Sequence, residues 1–145
     1  MSRSRTGARR LAVQALYQWQ LAGQAADEIE AQFRANPDTR DCDLDYFAEL
    51  LRGVIGDAAA LDASLAPLLA RPLEQVDPVE RAILRVGAWE LRERLEIPYR
   101  VVLNEAVELA KRFGAEQGHR FINGVLDRLA RTLRPTEQAR PAPPA

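Results

Sequence analysis

Apolar residues recur at helical spacing along nearly the whole chain, and no stretch shows the strict alternation of a half-buried strand. The pattern predicts an all-α chain of six to seven helices. They are expected at residues 7–22, 27–33, 43–67, 78–91, 99–113 and 118–133. Gly23, Pro67 and Gly114 are the expected helix ends, because glycine and proline interrupt or cap helices.

The clearest predicted helix start is the run from Asp77 to Glu80, with an N-cap aspartate, a proline at the first helical position and a glutamate at the third. The helix that follows is apolar almost all round, so we expect it to be the central buried helix. Gly53 and Gly56 are predicted close-packing points in the preceding long helix. We predict one helical domain over residues 1–134. The tail, 135–145, has four prolines and little apolar bulk, and is predicted to be disordered.

Charge is unevenly distributed although the net charge of the 145 residues is only −1. Residues 1–10 contain four arginines and no acid, whereas residues 27–49 contain eight acids and two arginines. Residues 111–134 turn basic again, with six arginine or lysine residues against two acids. Basic ends around an acidic segment indicate a localised polyanion site, and ordinary charge scatter on a helical protein is the alternative. No apolar run approaches the roughly 20 residues that span a bilayer, so we expect a cytoplasmic protein without a membrane contact.

Catalytic and metal-binding patterns are missing from the sequence. His119 is the single histidine and Cys42 the single cysteine, so no cysteine–histidine zinc cluster can form. The sequence has no glycine-rich phosphate loop and no nucleophile motif. We therefore expect a protein that is not an enzyme and that holds no metal or cofactor.

The first predicted helix presents a polar stripe away from its apolar face. Arg10, Gln14 and Tyr17 share this stripe at spacings of four and three residues, and Arg3 and Arg5 precede it. Arginines neutralise phosphates, and exposed aromatic rings stack on unpaired bases. A second basic-aromatic group is the run from His119 to Phe121. From the pattern alone, packing of the aromatic rings against neighbouring helices and solvation of the arginines are favoured over an RNA site.

Four segments carry a resemblance to a known family. They are AVQALYQWQL at 12–21, ERAILRVGAWEL at 80–91, IPYRVVLNEAVELAKRFG at 97–114 and FINGVLD at 121–127. In order, spacing and overall length they resemble the NusB family of transcription antitermination factors, over about residues 8–134.

The resemblance implies a fold of two packed three-helix groups without catalytic residues. It also implies binding of boxA RNA in ribosomal RNA leader transcripts together with the ribosomal protein NusE, in a complex with NusA, NusG and RNA polymerase. The implied RNA-binding residues are Arg3, Arg5, Arg9, Arg10, Gln14, Tyr17, His119, Arg120, Phe121 and Asn123. The implied NusE contacts are Glu74, Glu80 and Arg81.

Other interpretations stay open at this point. The chain could be a helical protein–protein interaction module that binds no RNA, with its arginines against an acidic partner. It could also be a stand-alone relative of the NusB-like domain that is fused to some RNA methyltransferases. A homodimer formed over the RNA surface, as in some relatives, is a further expectation.

Overall fold

The computed structural model describes residues 3–114 and 117–139, and the all-α prediction is confirmed for this part of the chain. Three short 3-10 turns, Pro37–Thr39, Ala66–Leu68 and Leu73–Gln75, lie between the α-helices. The helices are α1 Arg5–Ala22, α2 Ala26–Arg34, α3 Leu44–Gly56, α4 Ala58–Leu65, α5 Pro78–Glu93, α6 Tyr99–Arg112, α7 Gly118–Leu133 and α8 Pro135–Ala139.

The helices pack as two groups of three. Helices α1, α2 and α3 contact one another, and so do α5, α6 and α7. Helix α5 also packs against α1, α3 and α4, and every residue from Ala82 to Leu91 is buried. The prediction of a central buried helix is therefore confirmed, and α5 joins the two groups through one continuous core.

The ends of α1 and the start of α5 follow from local hydrogen bonding. The Ser4 hydroxyl accepts from the Gly7 N–H at 2.8 Å, so α1 begins at Arg5, slightly before its predicted start. Gly23 ends α1 at a φ of 69°, in the left-handed region that glycine tolerates. The Asp77 carboxylate accepts from the backbone N–H groups of Val79 and Glu80, which confirms the predicted N-cap.

The predicted long helix from residue 43 is broken at Asp57 into α3 and α4. Its two glycines also differ. A Cβ atom on Gly53 would lie 2.4 Å from Nε1 of Trp89, so the predicted close packing is confirmed there. A Cβ atom on Gly56 would meet no heavy atom within 4 Å. The prediction for Gly56 is wrong, because this residue is at the exposed end of α3.

The first part of the tail predicted to be disordered forms α8 in the structure. Buried Arg134, which precedes α8, donates to the carbonyls of Leu91, Arg94 and Ile97 at 2.8–2.9 Å and also contacts Glu137. Glu137 accepts from the first N–H of α6, that of Tyr99. The prediction of disorder considered only how little apolar surface the tail can bury. Hydrogen bonds and an ion pair hold this segment in place instead. Residues 140–145 lie outside the described part of the chain.

Candidate nucleic-acid interface

The start of α1 is fixed to the loop before α3. The Ser4 N–H donates to the Asp41 carbonyl at 3.0 Å, and the Asp43 N–H donates to the Ser4 carbonyl at 2.9 Å. Arg3 and Arg5, on either side of Ser4, are both exposed. The Arg5 guanidinium lies 4.4 Å from the centroid of the Tyr46 ring, within cation–π range. Two of the predicted RNA-binding arginines are thus presented at one anchored corner of the molecule.

The outer face of α1 carries the predicted polar stripe. Gln14 is exposed, Tyr17 is 39% exposed, and Leu21, one turn further, is 61% exposed. Arg10 is half-buried, and its Nη2 lies 3.6 Å from the Cys42 sulfur. The structure therefore brings Arg10, Gln14 and Tyr17 together on one surface, with Arg3 and Arg5 at its end.

Arg9 is not part of that surface. It is 4% exposed, and its Nε donates to both carboxylate oxygens of Glu90 at 2.9 and 3.0 Å. Its Nη1 lies 3.4 Å from Glu105, and the Tyr46 hydroxyl also donates to Glu90. Burial by itself lowers the pKa of Arg9, but the hydrogen bond and charge of Glu90 outweigh it, so the pKa is raised. Arg9 and Arg10 differ because neighbouring residues point about 100° apart around a helix.

A groove of about 630 Å³ separates α1 from α6. The Thr6 hydroxyl on α1 donates to the Glu105 carboxylate on α6 at 2.8 Å, so one hydrogen bond connects the two walls. The groove is lined by Thr6, Arg10, Asn104, Glu105, Glu108, Leu109, Lys111 and Arg112. The sequence interpretation did not single out Asn104, Lys111 or Arg112. The sequence did contain a signal for them: these residues have helical spacing, and the chain becomes basic from Lys111 onwards.

The second predicted group lies at the start of α7. Arg120 and Asn123 are exposed, whereas His119 and Phe121 are half-buried. The Phe121 ring packs against the core, and Nδ1 of His119 is buried without a hydrogen-bond partner within the described structure. Only part of this group is thus open to a ligand. Helix α6 connects it with the α1 surface, because one side of α6 borders the groove and its end leads into α7.

The predicted protein-partner residues lie close together at the start of α5. The Arg81 Nη2 donates to the backbone carbonyls of Glu74 and Val76, each at 3.0 Å. The Glu74 side chain is exposed, and Glu80 is half-buried.

The pKa of Glu80 is raised from its ordinary value of 4.5 by burial first and by Asp77 second, with a partial offset from Arg71. The end of α1 reaches this region, because the Gln20 side chain donates to the Pro78 carbonyl at 2.9 Å.

Over the described residues, no group of three or more histidine, cysteine, aspartate or glutamate side chains is placed to hold a metal ion. Among the helices of residues 3–114 and 117–139, none is long and apolar enough to cross a membrane.

Comparison with known sequences identifies the family. The model of the NusB family matches residues 6–131. The transcription antitermination protein NusB of Idiomarina loihiensis is 55% identical over 135 residues, which cover 93% of this chain and 97% of that protein. The protein of the same name from Nitrosococcus oceani is 59% identical over 137 residues, covering 94% and 92% of the two chains.

Solved structures agree with the sequence matches. The T. maritima NusB structure superimposes with a TM-score of 0.82 at 26% identity, over 95% of this chain and 98% of that one. A NusB chain in a crystal structure of NusB and NusE with double-stranded RNA gives 0.74 at 28% identity, over 88% and 96%. This chain therefore belongs to the NusB family, whose members named here are transcription antitermination proteins and not enzymes.

Proposed function

We propose that this chain acts in antitermination by binding the boxA element of ribosomal RNA leader transcripts together with NusE. The complex would then join NusA, NusG and RNA polymerase in the cytoplasm. The observation that carries the proposal is the set of unpaired arginines at the start of α1. Within the described residues, Arg3, Arg5 and Arg10 have no carboxylate partner, whereas Arg9 beside them is fully paired.

The proposed RNA surface combines charge with stacking and hydrogen bonding. Each arginine that neutralises a phosphate of single-stranded RNA adds about 0.7 to the steepness of the salt dependence. Tyr17 offers an exposed ring on which a base can stack, and Gln14 offers an amide for a base edge. Arg120 and Asn123, both exposed on α7, are the further proposed RNA contacts. Half-buried His119 and Phe121 would contribute only their exposed edges.

Replacement of Arg10 and of Tyr17 by alanine tests the RNA surface. Loss of one stacked base costs on the order of 1–3 kcal/mol, so Tyr17→Ala should weaken binding without changing the salt slope. Arg10→Ala should make the slope shallower, by about 0.7 for one phosphate contact. Affinities would be measured by fluorescence anisotropy with a boxA oligonucleotide and a scrambled one at several salt concentrations.

Arg52→Ala is the matched control, because Arg52 is exposed but paired with Asp27 and Glu30, each at 2.8 Å. It changes the net charge as Arg10→Ala does and should leave RNA binding unchanged. Unchanged affinity of the Arg10→Ala, Tyr17→Ala double variant would remove this surface from the RNA site and favour a module that binds protein alone.

The proposed NusE surface is the region of Glu74, Glu80 and Arg81. Arg81 fixes the turn that presents the exposed Glu74 carboxylate, so the geometry there is built into the fold. Calorimetric titration with NusE should show weaker binding for Glu74→Lys. The same titration in the presence of boxA RNA shows whether the two ligands reinforce each other, as expected for two weak contacts linked in one complex. Sedimentation of the free chain tests the proposed homodimer.

A further inference from the structure

The α1–α6 groove has the volume of a ligand site and is open to the protein surface. Its volume of about 630 Å³ lies within the range of roughly 300–1,000 Å³ typical of binding pockets. Arg10 enters it from α1, and Lys111 and Arg112 enter it from the last turn of α6. The groove therefore places cations from two different helices around one space.

Both carboxylates of the groove already have partners. Glu105 accepts from the Thr6 hydroxyl at 2.8 Å and lies 3.4 Å from Nη1 of Arg9. Glu108 lies 3.7 Å from Nζ of Lys111. Arg10 and Arg112 are left without a carboxylate partner in the part of the chain that the structure describes. The groove thus has two guanidinium groups available to an external anion.

The position of Arg10 is also restrained. Its Nη2 lies 3.6 Å from the sulfur of Cys42, a residue that is 3% exposed. A guanidinium held in one place loses less freedom on binding an anion, and its planar fork of N–H groups matches the oxygens of a phosphate. Gln14 lies one turn beyond Arg10 on the same face of α1, so a strand that follows this face reaches the groove directly.

We propose that the α1–α6 groove holds the phosphodiester backbone of the bound RNA, with Arg10 and Arg112 as phosphate ligands from facing helices. The proposal rests on the RNA binding proposed above and adds the path of the strand. The RNA leaves the outer face of α1 and enters the groove between Arg10 and Arg112. Asn104, exposed on the α6 wall, supplies an amide for a sugar or base edge.

Arg112→Gln tests the groove. One lost phosphate contact should make the slope of log affinity against log salt shallower by about 0.7, which corresponds to about fivefold weaker binding near 0.1 M salt. Arg10→Gln should have a similar effect. The double variant should lose about 1.4 in slope, because each arginine holds a phosphate of its own.

Two further variants separate phosphate binding from a structural role. Arg112→Lys keeps the positive charge and should keep most of the salt slope, whereas loss of a structural contact would not be rescued by charge. Arg52→Gln removes an equal charge from α3, where the guanidinium is paired with Asp27 and Glu30, and should match the parent. Circular dichroism of each variant checks that it is folded under the binding conditions.

If the parent chain binds the RNA and Arg112→Gln has the same salt slope as the parent, the groove proposal is wrong and the proposed function stays intact. A parent chain that does not bind single-stranded RNA at any salt concentration would overturn both. An Arg112→Lys variant as weak as Arg112→Gln would also refute phosphate binding by this residue.

Discussion

Replacement of Arg9 by methionine should destabilise the fold strongly and should leave the charge contribution to RNA binding almost unchanged. Arg9 is 4% exposed and Glu90 is 1% exposed, and Nε of Arg9 lies 2.9 and 3.0 Å from the two Glu90 oxygens. Without Arg9, the Glu90 carboxylate stays buried with only the Tyr46 hydroxyl as a side-chain donor. Removal of one partner from a buried ion pair costs about 3–5 kcal/mol.

That loss is a large part of the total stability, since domains of this size unfold with about 5–15 kcal/mol. Exposed pairs contribute far less, about 0.2–1 kcal/mol. Arg52→Met is the matched control, because the Arg52 side chain is 53% exposed. In the double variant Arg9→Met, Glu90→Leu no charge remains buried at this position. It should therefore be more stable than Arg9→Met alone.

Urea unfolding, followed by circular dichroism and by the fluorescence of Trp19 and Trp89, gives the free energies. The RNA salt slope of Arg9→Met is measured where the variant is still folded, and it should equal that of the parent. If Arg9→Met lowers the free energy of unfolding by less than about 1 kcal/mol, Glu90 is not left as an uncompensated buried charge. A loss that small is in the range of exposed ion pairs. A slope shallower by about 0.7 would show that Arg9 itself reaches a phosphate.

The remaining predictions concern α3 and α5. Gly53→Ala should cost about 1–3 kcal/mol, because its Cβ would lie 2.4 Å from Nε1 of Trp89. Gly56→Ala, in open space, should be neutral or stabilising by up to about 1 kcal/mol, and equal melting temperatures of the two variants would contradict the packing. The raised pKa of Glu80 stabilises the folded parent below the ordinary value of 4.5 and loses this effect as pH rises through the folded pKa. Glu80→Gln should therefore gain stability relative to the parent between pH 4.5 and neutrality in urea titrations, and a relative loss over this window would contradict the burial.

Local sequence determined most of the secondary structure and the family. Apolar spacing gave the helical class, and α7 runs over the predicted Gly118–Leu133. The Asp77 cap and the Gly23 end were also predictable, because each depends on hydrogen bonds and backbone angles within a few residues. The resemblance of segments 12–21, 80–91, 97–114 and 121–127 to the NusB family needed no structure either.

Only the tertiary structure decided which charged residues are available to a ligand. Arg9 and Arg10 are equivalent in the sequence, yet Arg9 is paired with Glu90, 81 positions away, while Arg10 faces the groove. Arg112 became a candidate because α6 brings it opposite Arg10. The polar anchor of α8, through Arg134 and Glu137, likewise depends on carbonyls and an N–H group from other helices. Helical periodicity predicts which face a residue occupies, but its charge partners come from distant segments that only folding brings together.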